Sequence, residues 1–294
     1  MSADWALIGG SFLVAIVVGL TGMGGGALMT PMMMLFFNVP PLAAVSSDLV
    51  ASAVMKPVGS VVHLRRGTVN LRLVGWLCAG SVPAAFCGVF LARAFAVTDA
   101  VKYALGVALL LAVAGMAVKS WLGARGGESS THDIVVRPIP TLLVGMVGGV
   151  VVGVSSVGSG SLIIVALLVL YPALKANQLV GTDLVQAVPL VTAAALGHLL
   201  FGDFQLDLTV SLLIGSIPGV YLGARISSRA PGGLIRALLA IVLLASALKL
   251  LDASNTLTVW ALAAAVAVTI AGWRLRIRAA ARASSESTDL EPAR

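Results

Sequence analysis

The apolar runs of this chain are too long and too many for a protein that folds in water. Stretches such as "VALLVL" and "LLAIVLLASALKLL" show no polar stripe that could face solvent. Only 11% of residues are charged and 59% are hydrophobic, with a mean hydropathy of +1.04. Ordinary soluble domains carry about 25% charged residues. A helix that spans a bilayer needs about 20 consecutive apolar residues, and several segments supply them. The chain therefore reads as an all-α polytopic membrane protein. Its 32 glycines and 12 prolines suit that class, which tolerates both inside helices.

Apolar runs and their breakers predict helices over 5–22, 27–37, 42–63, 72–93, 99–121, 139–157, 161–171, 174–200, 207–226, 232–251 and 256–276. Two of these, 27–37 and 161–171, are too short to cross a core about 30 Å thick. The polar stretch "GARGGESSTHDIVVR" at 123–137 divides the chain, and the tail after Trp273 begins basic and ends polar. The expected organisation is a first transmembrane repeat at 1–122 and a linker at 123–138. A second repeat at 139–252, a further helix at 253–276 and a cytoplasmic tail at 277–294 complete it. The N-terminal run has Asp4 and no preceding base, so it is expected to be a retained first helix rather than a signal peptide. Cys78 and Cys87, nine residues apart, match no metal motif and read as small core side chains.

The halves are copies. A shift of 135 residues carries Asp48 onto Asp183, His63 onto His198, Gly67 onto Gly202 and Pro83 onto Pro218. "SSDLV" falls on "GTDLV" and "GTVNLRL" on "GDFQLDL"; the Gly-rich "TGMGGGAL" matches "SSVGSGSL" one residue out of register. Apolar composition alone does not place Asp, His, Gly and Pro together at one offset, so this is an internal duplication. The loop after His63 holds Arg65, Arg66 and Arg72, whereas its counterpart holds Asp203 and Asp207. The reversal of sign implies two inverted-topology repeats. With the two short helices treated as re-entrant halves, fifteen of the nineteen Lys and Arg fall on one side. That gives eight to nine spanning helices, the N-terminus periplasmic and the C-terminus cytoplasmic, with Arg65 and Arg66 as positive-inside anchors.

A helix that stops at mid-membrane leaves unsatisfied N–H groups at the start of the next half-helix, with the positive dipole end beside them. The two Gly-rich breaks would thus aim two such sites at the same depth, the pattern of a transporter binding site for a small anion. Gly24, Gly25, Gly26, Gly158, Ser159 and Gly160 would offer backbone donors; Thr21, Ser155, Ser156 and Ser161 would offer hydroxyls. The "GMVGGVVVG" run at 145–153 reads instead as close helix packing. Lys56 stands in mid-helix with Val191 at the matching position of the copy. It would neutralise an anionic substrate, or pair with Asp48. Asp48 and Asp183 have two readings, as N-terminal helix partners beside Ser46, Ser47 and Thr182, or as proton carriers. His63 and His198 end their helices and read mainly as structural. Asn70 and Gln205 are expected to cap the helices that follow.

"GLTGMGGGAL", the [Ser/Thr]-Asp-Leu-Val helix, "HLRRGTVNLRL" and "GSVPAAFCG" resemble the TauE/SafE family of sulfite-exporter-like permeases. The second half repeats these marks in "GVSSVGSGSLI", "GTDLV", "GDFQLDL" and "GSIPGVYLGA", so the resemblance covers about residues 10–250. It implies a bacterial inner-membrane permease for sulfite, organosulfonates or related small sulfur-containing anions. Its partners would be that anion and the lipid bilayer; self-association into a homo-oligomer is left open. No cofactor, metal or nucleic acid is expected, since the charge of +7 is an orientation signal. The expected function is secondary transport by alternating access, not enzymatic. A passive anion channel is the alternative. A metal enzyme built on His63, His198, Asp48 and Asp183 would need ligands that inversion sets on opposite faces.

Overall fold

The computed structural model describes residues 5–21, 25–94, 99–123, 135–158, 160, 162–174, 176–227 and 232–271, and no strand occurs among them. The helices are α1 Trp5–Thr21, α2 Gly26–Phe36, α3 Pro41–Arg65, α4 Leu71–Ala94, α5 Ala100–Gly123, α6 Pro138–Ser155, α7 Leu162–Leu170, α8 Ala176–Phe201, α9 Leu206–Ser227 and α10 Gly232–Leu250. A further helix, α11 (Asn255–Ala271), belongs to a separate compact unit that begins at Asp252. All eleven lie within a few residues of the ranges the apolar runs predict.

Among the described residues, five helices are long and apolar enough to cross a membrane: Leu71–Ala94, Ala100–Val118, Pro138–Ser155, Gln178–Phe201 and Leu206–Gly223. Large apolar side chains such as Leu13, Val147, Leu200 and Ile217 are more than half exposed. Water would penalise such a surface, and lipid does not. The two short helices keep their predicted size. α2 has 11 residues and α7 has 9, which at 1.5 Å per residue is about 16 and 13 Å. Each is set in an apolar cluster. Met29, Met32 and Met33 of α2 pack with Leu7 of α1, Ala44 and Ala51 of α3 and Leu212 of α9. Ile163 and Leu167 of α7 pack with Leu49 of α3, Leu77 of α4 and Leu190 of α8.

The helix pairs are reciprocal. α1 packs against α9 and α4 against α6, while α3 packs against α8 and α5 against α10. When the helices are matched by the 135-residue offset, exchanging the halves turns the α1·α9 pair into α6·α4, and leaves α3·α8 and α5·α10 unchanged. In each of the first two pairs one helix presents a face of glycines to its partner. Gly145, Gly149 and Gly153 of α6 back onto Leu77, Ser81 and Ala85 of α4. Gly215, Gly219 and Gly223 of α9 back onto Ile8, Phe12 and Ile16 of α1. A methyl group at any of the six would meet a backbone oxygen of the facing helix, so the backbones approach as closely as small-residue faces allow. The close-packing reading of 145–153 holds.

α3 and α8 run antiparallel. Ser46, early in α3, meets His198 late in α8, and the Ser60 hydroxyl donates to the Leu184 carbonyl at 2.8 Å. The 25-residue α3 is the polar member of the bundle: Ser46, Ser47, Asp48, Ser52, Lys56 and Ser60 are all buried in it. One core expectation fails, because Cys87 lies on the exposed face of α4, although Cys78 is half-buried. Both thiols are free.

Candidate functional site

The two breaks are built differently. Thr21 ends α1, and Gly24 lies outside the described residues, as do Ser159 and Ser161 at the other break. Gly25 is the N-cap of α2 with ordinary helical angles, φ −58 and ψ −30, so it is not there to supply a positive φ. Gly26 is required for a different reason. A Cβ on it would stand 2.7 Å from the Ser156 Oγ and overlap the Ser156 carbonyl. The start of α2 is thus pressed against the end of α6. At the second break Gly158 and Gly160 adopt φ +119 and +117, as a glycine-dependent turn predicts. Ser156 also sits in the left-handed region, at φ 58. A non-glycine residue there costs roughly 1–2 kcal/mol.

The strain at Ser156 is held by a contact between the halves. Its hydroxyl donates to Oδ2 of Asp48 at 2.6 Å, and the Thr30 hydroxyl of α2 donates to the same oxygen at 3.0 Å. Asp48 is fully buried, and among the described residues its Oδ1 has no hydrogen-bond partner. That oxygen is directed at the α2 N-cap: a Cβ on Gly25 would lie 3.9 Å from it. Lys56, two turns along α3, interacts electrostatically with Asp183 of α8 and with Asp48. The structure therefore brings Gly25, Gly26, Asp48, Lys56, Ser156 and Asp183 into one buried neighbourhood, joined by Thr30. An attraction between Lys56 and Asp48 is present, and Asp183 adds a second.

The helix-start reading of the two aspartates fails. α3 begins at Pro41 and α8 at Ala176, so both carboxylates stand about two turns inside. Ser46 does not cap α3; its Oγ contacts the Leu42 carbonyl at 2.7 Å and the His198 Nδ1 at 2.7 Å. Thr182 instead receives the Asn70 N–H at 3.1 Å, across the halves. Asn70 does cap α4, its Oδ1 accepting the Leu73 N–H at 3.2 Å. Gln205 serves through its backbone carbonyl, which accepts from the N–H of Thr209 and from the hydroxyls of Thr209 and Ser47.

Of the remaining sequence candidates, Ser155 donates to the Val151 carbonyl and accepts the Val157 N–H, which closes the end of α6. His198 is buried between Ser46 and the Gly153 carbonyl, 2.8 Å from Nε2. A carbonyl can only accept, so Nε2 carries a proton; at Nδ1 the ring meets the Ser46 hydroxyl, whose single hydrogen is shared with the Leu42 carbonyl. His63 sits at the opposite end of α3, beside Gly181 and 2.9 Å from the Thr68 hydroxyl. Among the described residues no three His, Cys, Asp or Glu gather as metal ligands. A groove of about 410 Å³ at Leu71, Arg72, Gly75, Trp76, Ala79 and Val136 shares no residue with the polar neighbourhood.

Two participants escape a reading by motif. Thr30 is the one hydroxyl in the apolar α2, which was its signal. Gln186 donates from Nε2 to the Ser81 hydroxyl at 2.8 Å and leaves a buried Oε1 without a partner. Its counterpart in the copy is Ala51, so the duplication hides it.

Long apolar helices, lipid-facing apolar surfaces and buried polar groups at paired helix breaks define a polytopic helical membrane protein. The family model "Sulfite exporter TauE/SafE" matches residues 7–250, and the chain belongs to that family. It is 36% identical over 258 residues to "Probable membrane transporter protein YjnA" of Bacillus subtilis, an alignment covering 85% of this chain and 100% of that one. A second relative, "Probable membrane transporter protein YdhB" of the same organism, is 25% identical over 75% of this chain and 89% of its own. No solved structure matches.

Proposed function

We propose that this membrane transporter is a secondary permease for a small sulfur-containing anion, such as sulfite or an organosulfonate, in the bacterial inner membrane. The family model carries sulfite in its description, and both relatives named above are described as probable membrane transporters. The observation that carries the reading is the Asp48–Thr30–Ser156 junction. There the start of one half-helix, the break before the other and a charged mid-helix segment meet in the buried interior. Charged groups in such a place are expensive and mark transport pathways.

The inverted repeat belongs to this reading. It is supported by the antiparallel α3·α8 pair, the exchange of α1·α9 with α6·α4, and the matched contacts of Gly80 and Gly88 of α4 on α6 and of Gly215 and Gly223 of α9 on α1. Alternating access would follow from movement of one repeat against the other, with the N-terminus periplasmic and the C-terminus cytoplasmic. The anion would lie against the α2 N-terminus and the glycines of the second break, and Lys56 would offset its charge.

The test is uptake of isotopically labelled sulfite into proteoliposomes under a pH gradient, with unlabelled sulfonates as competitors. Saturable, competable uptake that shows counterflow supports the permease. Flux without saturation or counterflow would make the protein a channel. Uptake no greater than in empty liposomes would remove sulfite as the substrate.

A further inference from the structure

The neighbourhood proposed for the anion holds a difficulty that points to its own solution. Lys56 is shared between Asp183 and Asp48, so no surplus positive charge awaits an anion. With all three groups ionised the cluster carries one net negative charge, and an added anion would make two in a region that excludes water. Like charges at such distances in a low dielectric do not remain ionised together.

Asp48 has the geometry to remove the conflict. Its Oδ2 accepts both hydroxyl hydrogens, from Thr30 of α2 and Ser156 of the second break. A proton bound by this carboxyl therefore belongs on Oδ1, the oxygen with no partner among the described residues. Oδ1 lies beside Gly25, the N-cap of α2, and the opening amides of a helix have no acceptor i−4 within it. Ionised, Oδ1 is an acceptor that occupies the electropositive helix end and repels a second anion. Protonated, it is a donor aimed at the same place as those amides. We infer that Asp48 takes up one proton on Oδ1 each time an anion binds at the start of α2, so that proton and anion cross together. This inference rests on the anion-transport reading above.

Among the described residues, Asp48 is the titratable group placed beside Gly25. The charged and titratable groups on the helices packed against α3 are Lys102, Tyr103 and Lys119 of α5, Asp183 and His198 of α8, and Asp207, Tyr221 and Arg225 of α9; α2 has none. Lys56 is the one whose charge acts on the Asp48 carboxylate. His198 is engaged by Ser46 and Gly153, and Asp183 acts on Lys56. The proton balance is simple: one proton leaves the solution, one O–H bond forms, and the net charge of the occupied cluster for a monoanion equals that of the empty one.

The test measures binding of methanesulfonate, whose charge is constant across the neutral range, to the purified full-length protein. Proton uptake is read in weak buffer with an indicator dye, and labelled sulfite is run in parallel. The wild type is expected to take up one proton per anion, with affinity falling about tenfold per pH unit above a midpoint. Asp48→Asn is expected to bind without proton uptake and with flat pH dependence. Ser156→Ala and Thr30→Ala each remove one hydroxyl that favours the ionised form, and are expected to move the midpoint to higher pH by about one unit. If Asp48→Asn keeps the proton uptake and pH slope of the wild type, the inference is overturned and the anion site stands. If that variant does not fold, an unmoved midpoint in both hydroxyl variants overturns it equally. Failure of the wild type to bind either anion at any pH would instead sink the anion-transport reading itself.

Discussion

Gly26→Ala is the smallest change that strikes the junction between the halves. The added methyl would meet the Ser156 backbone, with the Oγ 2.7 Å away and the carbonyl carbon 2.8 Å away. Real Cβ contacts are never that short, and the obstacle is backbone rather than the end of a flexible side chain. Either α2 or the end of α6 must retreat. Overpacking of this kind costs about 1–3 kcal/mol. Retreat also lengthens the 2.6 Å Ser156–Asp48 hydrogen bond, and a bond to a charged group contributes about 1.5–3 kcal/mol. Together the loss is about 2.5–6 kcal/mol. Gly9→Ala is the control, since a Cβ there meets nothing within 4 Å and alanine gains up to about 1 kcal/mol of helix propensity. Denaturation of both variants in lipid–detergent micelles gives the difference, and labelled sulfite uptake gives the functional effect. If Gly26→Ala unfolds within about 1 kcal/mol of the Gly9→Ala variant, the close approach is not a structural constraint and this reasoning fails.

Three further outcomes are expected. Lys56→Ala should abolish sulfite uptake while the protein still inserts and elutes as a single species; unchanged flux would remove Lys56 from the mechanism. Ser46→Ala should lower stability by about 1–3 kcal/mol, because it strips the buried His198 Nδ1 of its partner, and a loss below about 0.5 would refute that contact. Tyr171→Phe should cost a similar amount, about 1–3 kcal/mol in the same denaturation assay, since the phenol accepts the Arg137 N–H at 2.8 Å and pairs with the Thr141 hydroxyl at 2.6 Å.

The helix boundaries were legible because glycine, proline and charge punctuate the apolar runs. Pro41 and Pro138 sit at helix starts, and Gly67 takes φ 62 where α3 gives way to α4. The offset of 135 picks out Asp48, Asp183, His63 and His198, and all four sit where the halves meet. What the sequence concealed was the partner. Ser156 meets Asp48 across 108 residues and Ser46 meets His198 across 152, and no local spacing encodes such pairs. Local reasoning therefore assigned Ser46 and Asp48 to their own helix start, where the hydroxyl and carboxylate would have had backbone amides to satisfy. Two turns further in, those amides are already spent on the helix, and both side chains turn outward to the other half.

The reciprocal glycine contacts give the molecule an internal control. Gly80 faces the Leu142 carbonyl, and a methyl on it would come 2.9 Å from the Met146 nitrogen. Gly215, its counterpart, faces the Ile8 carbonyl, and a methyl there would come 3.0 Å from the Phe12 nitrogen. The backbone obstacle to an alanine is therefore alike at both positions, while at Gly215 the methyl would also displace the Ser11 hydroxyl, the end of a side chain that can rotate. With Ser11→Ala as the common background, a difference between Gly80→Ala and Gly215→Ala in stability or flux measures how far the two copies have divided their labour.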